Sequence, residues 1–379
     1  MNIKITQDHF KICRLSFRFF LLLAITVSCK KEKQESVASS PATESGLEIV
    51  DSNSIEHQSL DEDLTSPFVM LNKDEKISNV IRKIFQDKKG RIWIGAENGA
   101  YYYDGTMLRY LDDIKDQYGK QVTIKYIAED NIGNIWFGHT AGVSKFDGST
   151  IINFSRKDGL IDNDVWCLAV DKNNTIWIGT LQGACYFNGD TFSSFEIPEG
   201  QKDKTRGVSS TKIVHSIMED SKGNMWFATN GGAYVFDGKT LTNISETDGL
   251  CSNYVSKVLE DRNGGFWFGT VHNGLCYFDG EKFTNITNQF GVQGKEVWDV
   301  FQDKKGDIWF SVKNYGVFSF DGKSIINYNK VHGLQSHAIM DIFQDNSDRF
   351  WFGGFNGLTR YNGQDFVNIT KQGPWSNSK

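Results

Sequence analysis

Seven aspartates in this chain are each followed six residues later by a tryptophan: Asp87, Asp130, Asp171, Asp220, Asp261, Asp303 and Asp345 precede Trp93, Trp136, Trp177, Trp226, Trp267, Trp309 and Trp351. A recurring carboxylate beside a glycine suits calcium binding or acid/base chemistry. Its presence in every copy argues for a different duty, a turn in which the carboxylate accepts backbone N–H groups. Residues that differ between the copies are the better carriers of specific chemistry.

Two such positions stand out when the copies are aligned on the aspartate. Five residues before it stand Arg82, Lys125, Trp166, His215, Ser256, Trp298 and Met340; four before stand Lys83, Tyr126, Cys167, Ser216, Lys257, Asp299 and Asp341. Six, three and two residues before it, every copy is apolar. Indoles, a phenol and cations together suit a sugar or another polar ligand with flat faces, held by stacking and charged hydrogen bonds. The candidate binding set is Arg82, Lys125, Tyr126, Trp166, His215, Lys257, Trp298 and Asp299, joined by His272 and Tyr315 from nearby variable loops. A solvated wall would show the same variety.

The five histidines of the repeat region, His139, His215, His272, His332 and His337, all fall toward the same ends of their copies. Such a cluster could mark a metal or acid/base site, but no ligand spacing such as H-x-x-x-H is present. They read as exposed loop histidines, and neither metal nor cofactor is expected. A Ser-His-Asp elbow, a P-loop and the arginine set of a sialidase are also missing from the sequence, which disfavours an enzyme.

What positions these residues is a repeat. Successive motif tryptophans are separated by 43, 41, 49, 41, 42 and 42 residues. Each copy holds four short apolar-rich runs divided by turn residues, so the period predicts an all-β, seven-bladed propeller of four-stranded antiparallel blades over residues 66–379. The tryptophans are expected between blades, each burying roughly 150–250 Å². Asp104-Gly105 and its six counterparts read as the central pair of type I′ hairpins, both at positive φ. The 49-residue spacing comes from an insertion at 198–212, whose Lys202, Lys204 and Arg206 suggest a basic flap. Residues 68–71, apolar and placed before repeat one, are expected to dock on the last blade and latch the ring.

Residues 1–28 read as a secretory leader, with Lys4, Lys11, Arg14 and Arg18 ahead of a short apolar run from Phe19 to Val27. Thr26-Val27-Ser28-Cys29 resembles a bacterial lipobox, which implies lipid on Cys29 and a place at the outer membrane. Residues 29–65 are polar and are expected to form a disordered tether. Without the leader, 37 basic groups face 46 acidic ones, a net charge of −9. That balance disfavours nucleic acid, whose phosphates draw mainly on Lys and Arg. Cys167, Cys185, Cys251 and Cys276 show no pairing pattern and read as small buried hydrophobes.

The repeat itself resembles the two-component regulator propeller repeat, D-x-x-G-x-[IL]-W-[IF]-G-T-x-x-G-[LV]-x-x-[YF]-[DN]-G. Its D-G-L connection stands at Asp158-Gly159-Leu160 and Asp248-Gly249-Leu250, and as His332-Gly333-Leu334 in one copy. The resemblance covers residues 80–370. It implies a ligand-binding module of the sensor type, often for oligosaccharide, or a scaffold for a separate membrane receptor or kinase. A lyase or hydrolase using the histidines and carboxylates is the third reading. No Tyr-rich domain, membrane helix or kinase follows the seventh repeat, so the signalling output is not implied.

Overall fold

A computed structural model describes residues 76–201 and 210–375. The leader, Cys29, the tether, the 68–71 strand and most of the basic flap lie outside these residues. Seven four-stranded antiparallel sheets follow one another along the chain, at 81–111, 124–154, 165–195, 214–244, 255–285, 297–328 and 339–369. Each blade is contiguous in sequence. The seventh carries its own outermost strand, Phe366–Ile369.

The motif aspartate does two jobs. In blade one, Asp87 Oδ1 accepts the N–H groups of Lys89 and Arg91, both at 2.9 Å, which shapes the turn. Its Oδ2 accepts the Trp93 indole N–H at 2.7 Å. The same indole bond recurs in every blade at 2.7 to 3.1 Å, so each tryptophan is tied to its own turn. At the third residue after the aspartate the backbone is left-handed. Five blades use glycine there, and the other two use Asn174 (φ 65°) and Asp348 (φ 63°), the types that tolerate it best.

Packing runs across the blade joints, as expected of the tryptophans. Trp93 meets Phe137 of blade two edge-on at 5.6 Å, and Trp177 meets Phe227 of blade four at 5.7 Å. In five blades a glycine two residues after the tryptophan leaves room for the next blade, and Ala228 and Ser311 stand there in the other two. A Cβ at Gly138 would stand 2.7 Å from Val165 Cγ1, and one at Gly95 2.9 Å from Ile124 Cγ2. The ring closes with the same parts: Trp351 of blade seven packs with Ile81 and Ile84 of blade one and with Ile77 just before it.

Two expectations about turns and cysteines need correction. The last bonded pair before the Asp104-Gly105 hairpin is Asp104 with Met107, so the central residues are Gly105 and Thr106. Only Gly105 is at positive φ (98°), because the Asp104 carboxylate accepts the N–H groups of Thr106 and Met107 and replaces a second left-handed residue. Cys251 and Cys276 are not independent hydrophobes but a disulfide with a Cα–Cα separation of 5.9 Å. The connection before blade five explains it. Ser245 caps a short turn at Glu246–Asp248, Gly249 reverses the chain at φ 103°, and Leu250 is buried, which carries Cys251 onto the third strand. Cys167 and Cys185 are free and buried.

Candidate ligand-binding site

Every innermost strand carries a β-bulge at the same place. In blade one Ile81 pairs with Ala96 and Lys83 with Gly95, which leaves Arg82 without a partner in the ladder. The same irregularity falls at Lys125, Trp166, His215, Ser256 and Met340, and in blade six Trp298 and Asp299 together face Ser311. A bulge re-aims side chains, so adjacent residues can face one side instead of alternating. Hence the positions five and four residues before the motif aspartate both reach the channel in most blades. The apolar residues on either side remain in the blade.

The seven bulge residues line one cavity of about 350 Å³ at the channel's upper mouth, together with Lys83, Tyr126, Lys257, Asp299 and Asp341. These last five also line a second cavity of about 490 Å³ below. They form the waist of the channel. Lys83 Nζ lies 2.6 Å from Asp341 Oδ1, and Lys257 Nζ 3.1 Å from Asp299 Oδ1. The free carboxylate oxygens are not idle. Asp299 Oδ2 accepts the Ile342 N–H at 2.8 Å and Asp341 Oδ2 accepts the Ile84 N–H at 2.7 Å, each across a blade joint.

Burial and opposite charge compete at the waist. Burial raises Asp341 above the ordinary carboxylate range, against the attraction of Lys83. Burial would lower Lys83 and Lys257, yet the aspartates opposite hold both above the usual ammonium range.

Above the waist the mouth has two unlike sides. Aromatic rings from blades three to five touch in series: Trp166 meets His215 edge-on at 5.3 Å, and His215 stacks on Tyr254 at 5.2 Å and 23°. Lys125 extends the series from blade two, with Nζ 4.3 Å from the Trp166 ring centre, and is also ion-paired to Asp164. His272 joins from the loop of blade five, 5.9 Å from Tyr254. Trp298, on the far side, lies under Lys313, whose Nζ is 5.5 Å from the ring centre and 2.8 Å from Glu296.

His215 is fixed by Asn230. The amide Nδ2 donates to the Ser210 carbonyl at 3.0 Å, which turns Oδ1 toward His215 Nε2 at 2.6 Å. Nε2 therefore carries the proton. Burial lowers the His215 pKa to about 4, so the ring is neutral near pH 7. Arg82 contrasts with its neighbours: its Nε is buried with no hydrogen-bond acceptor. An unsatisfied buried donor costs about 1–3 kcal/mol.

Eight of the ten candidate residues thus gather at one mouth: Arg82, Lys125, Tyr126, Trp166, His215, Lys257, Trp298 and Asp299. His272 stands behind Tyr254. Tyr315 lines a separate groove with Phe290, Val292 and Val331. Tyr254 and Glu296 were not legible as rim residues from the two aligned positions. Both stand seven residues before their motif aspartate, which strand alternation places on the same face as the bulge residue. The reading of the histidines as exposed loop residues fails for three of them, since His272, although on a loop, is half-buried, and the other two are also not on loops. His139 is 1% exposed, with Nε2 2.9 Å from Ser144 Oγ, and His215 is half-buried in the channel wall. Both sit on strands, where the sheet covers one face of the ring.

The family model described as "Two component regulator propeller" matches residues 75–98, 159–182, 207–231 and 249–272. Four of the seven blades, the first, third, fourth and fifth, thus contain a segment similar to the two-component regulator propeller repeat. A similar fold, with a TM-score of 0.60 at 23% identity, is that of the extracellular domain of BT3049 from B. thetaiotaomicron, assigned as a hybrid two component system. The match covers 77% of this propeller chain and 40% of that one, so the chain spans well under half of the neighbour's length. Virginiamycin B lyase from Staphylococcus aureus is similar at a TM-score of 0.59 and 13% identity, covering 74% of this chain and 93% of the lyase. PorZ of Porphyromonas gingivalis, a surface component of the type-IX secretion system, is similar at 0.58 and 16%, covering 77% and 48%. At such identities these likenesses establish the propeller fold alone. A comparison with curated protein sequences finds no match.

Among the described residues no helix is long and apolar enough to cross a membrane. No group of three or more His, Cys, Asp or Glu side chains is placed there to hold a metal ion.

Proposed function

We propose that this chain is a non-enzymatic, sensor-type propeller that binds a saccharide-like ligand at its upper channel mouth. The lipobox resemblance at Cys29 supports a place in the cell envelope, anchored at the outer membrane through lipid. One observation carries the binding reading: seven bulges, one per blade, turn seven side chains of six types into a single cavity of about 350 Å³. A solvated wall could vary as freely, but here the varied side chains are also held in place, His215 by Asn230 and Lys125 by Asp164, which supports a binding role.

The contents of the mouth suit a sugar. Trp166 and Trp298 offer apolar faces from opposite sides, and aromatic faces pack well against the C–H face of a pyranose. Neutral His215, held in one tautomer, and the paired lysines and aspartates of the waist supply directional polar contacts. The fixed geometry favours recognition, since groups already held in place lose little freedom on binding.

The test is a glycan array followed by calorimetry. Combined Trp166→Ala and Trp298→Ala substitution should abolish binding of any hit, with an unchanged circular dichroism spectrum. Binding that survives both substitutions would remove the ligand from this mouth.

A second reading, contact with a separately encoded receptor or kinase, is favoured by the groove of about 560 Å³ beside blades six and seven. There Val331 is 91% exposed and Tyr315 41% exposed. A pull-down from the native envelope that recovers one receptor, lost on Val331→Asp, would favour it.

A further inference from the structure

We infer that the ligand carries an acidic group, a carboxylate or a sulfate on a sugar ring, received by Arg82. This inference rests on the reading of the mouth as a saccharide site and narrows its class. Four of the five cations around the mouth already have a carboxylate partner. Lys83 is paired to Asp341, Lys257 to Asp299, Lys313 to Glu296 and Lys125 to Asp164. Arg82 has no ion pair among the described residues, and its Nε lies buried without an acceptor.

Two acids, Asp164 and Glu97, act on Arg82 through space, but neither forms an ion pair with it. Asp164 holds Lys125, and Glu97 Oε1 accepts from Ser78 Oγ at 3.4 Å. The fifth cation is therefore left over in a chain whose formal net charge is −6. A protein that is acidic overall yet keeps an unpaired cation in a concave mouth focuses a field that draws anions there. Guanidinium is the side chain best shaped for the purpose, since its planar fork matches two oxygens of one acidic group.

Position adds to charge. Arg82 is the bulge residue of blade one, next to Lys125 of blade two, and Lys125 begins the series of rings through Trp166, His215 and Tyr254. A sugar ring lying on those aromatic faces would present a substituent toward blade one. The acidic residues of the waist, Asp299 and Asp341, lie deeper than Arg82, and each is already bonded to a lysine and a backbone N–H. The depth of the mouth thereby orders one ligand, with its acidic group at Arg82 in the upper tier and its hydroxyls below.

The experiment screens the propeller against paired acidic and neutral oligosaccharides, with each uronic-acid hit compared to its carboxyl-reduced form and each sulfated hit to its desulfated form. Acidic members should bind at least tenfold more tightly than their neutral partners. Arg82→Gln should erase that preference, weakening the acidic member at least tenfold more than the neutral one, and Arg82→Lys should restore part of it. Thermal melting of both variants separates a lost contact from a lost fold. Neutral hits that bind as well as acidic ones, or an Arg82→Gln protein that keeps the preference, would overturn the acidic class while leaving the mouth as the site. Hits unaffected by the Trp166 and Trp298 substitutions, or no hits at all, would overturn the site and this inference with it.

Discussion

The Asp341 carboxylate of blade seven accepts the backbone N–H of Ile84 in blade one at 2.7 Å, across 257 residues of chain. Its other oxygen holds Lys83 at 2.6 Å. The first and last blades are thereby joined at the channel waist by one side chain, in the manner of Asp299 between blades six and seven. On the opposite face Asn346 donates its N–H to the Gln86 side chain at 2.8 Å, the closing member of a series that includes Lys88 with Glu129 and Lys304 with Gln344. The seam where the ring shuts is built like the other joints.

Asp341→Ala should therefore open a weak joint. It strips a buried ammonium and a buried N–H of their acceptor, and removing one partner of a buried pair costs about 3–5 kcal/mol. Differential scanning calorimetry should show a fall of several degrees. Replacing Asp341 and Lys83 together should cost less than Asp341→Ala alone, because no charge is then stranded. A double variant that is worse than the sum of its parts would refute this account of the waist.

The indole bond of the motif aspartate gives a second prediction. Asp220→Ala would leave the buried Trp226 indole N–H unsatisfied and take the shared acceptor from the part-buried N–H groups of Lys222 and Asn224. Each buried donor left unmade costs about 1–3 kcal/mol. Trp226→Phe, which keeps most of the packing, should cost less than Trp226→Ala, expected at about 3–5 kcal/mol. Urea denaturation orders the three variants, and an Asp220→Ala protein as stable as the parent would show the carboxylate to be dispensable.

Much of this frame was legible in the sequence, and the reason is repetition. Seven copies display which residues are common, and Asp, Gly and Trp were correctly assigned to the blade. The rim was legible for the complementary reason: positions five and four before the aspartate vary. The bulge that puts both in the channel leaves only an interrupted alternation, apolar at six, three and two. Single-copy features were opaque. Nothing in the spacing announces the Cys251–Cys276 bond, because no other blade has a cysteine in that connection, and the burial of His139 depends on where strand two ends.

That disulfide should stabilise blade five. Closing a loop of 25 residues lowers the entropy of the unfolded chain by an amount worth about 3 kcal/mol. Paired Cys251→Ser and Cys276→Ser substitution should lower the melting temperature, and dithiothreitol should do the same to the parent but not to the variant. Non-reducing peptide mapping reads the bond directly, and free thiols at both positions in the purified protein would contradict it.

Acid should weaken the fold through His139. Burial lowers its pKa to about 3, against 6.5 for the free side chain. Below pH 6.5 the unfolded chain takes up a proton that the folded protein refuses, so the stability this group contributes above 6.5 is lost as pH falls toward 3. Between pH 7 and pH 5 the linkage amounts to about 2 kcal/mol. His139→Gln cannot take up that proton in either state, and its stability should fall by about 2 kcal/mol less over the same interval, whatever its value at pH 7. Denaturant titrations at the two pH values make the comparison, and equal losses in parent and variant would show that His139 is protonated in the folded protein.

Tyr254 offers a last test, of the mouth itself. It enters from the connection before blade five, where its carbonyl accepts the Val271 N–H at 3.1 Å, and its ring stacks on His215, so truncating the side chain reshapes the aromatic side of the mouth while leaving that backbone bond in place. Tyr254→Ala should weaken a glycan hit by about tenfold, the equivalent of roughly 1.4 kcal/mol and within the range of an aromatic pair plus buried area. Met340→Ala, at the bulge of blade seven and remote from the ring series, should change it by less than about twofold. Calorimetry on the same hit with both variants distinguishes an aromatic platform from a uniformly lined hole: similar losses at Tyr254 and Met340 would show that the ligand fills the mouth without preferring its aromatic side.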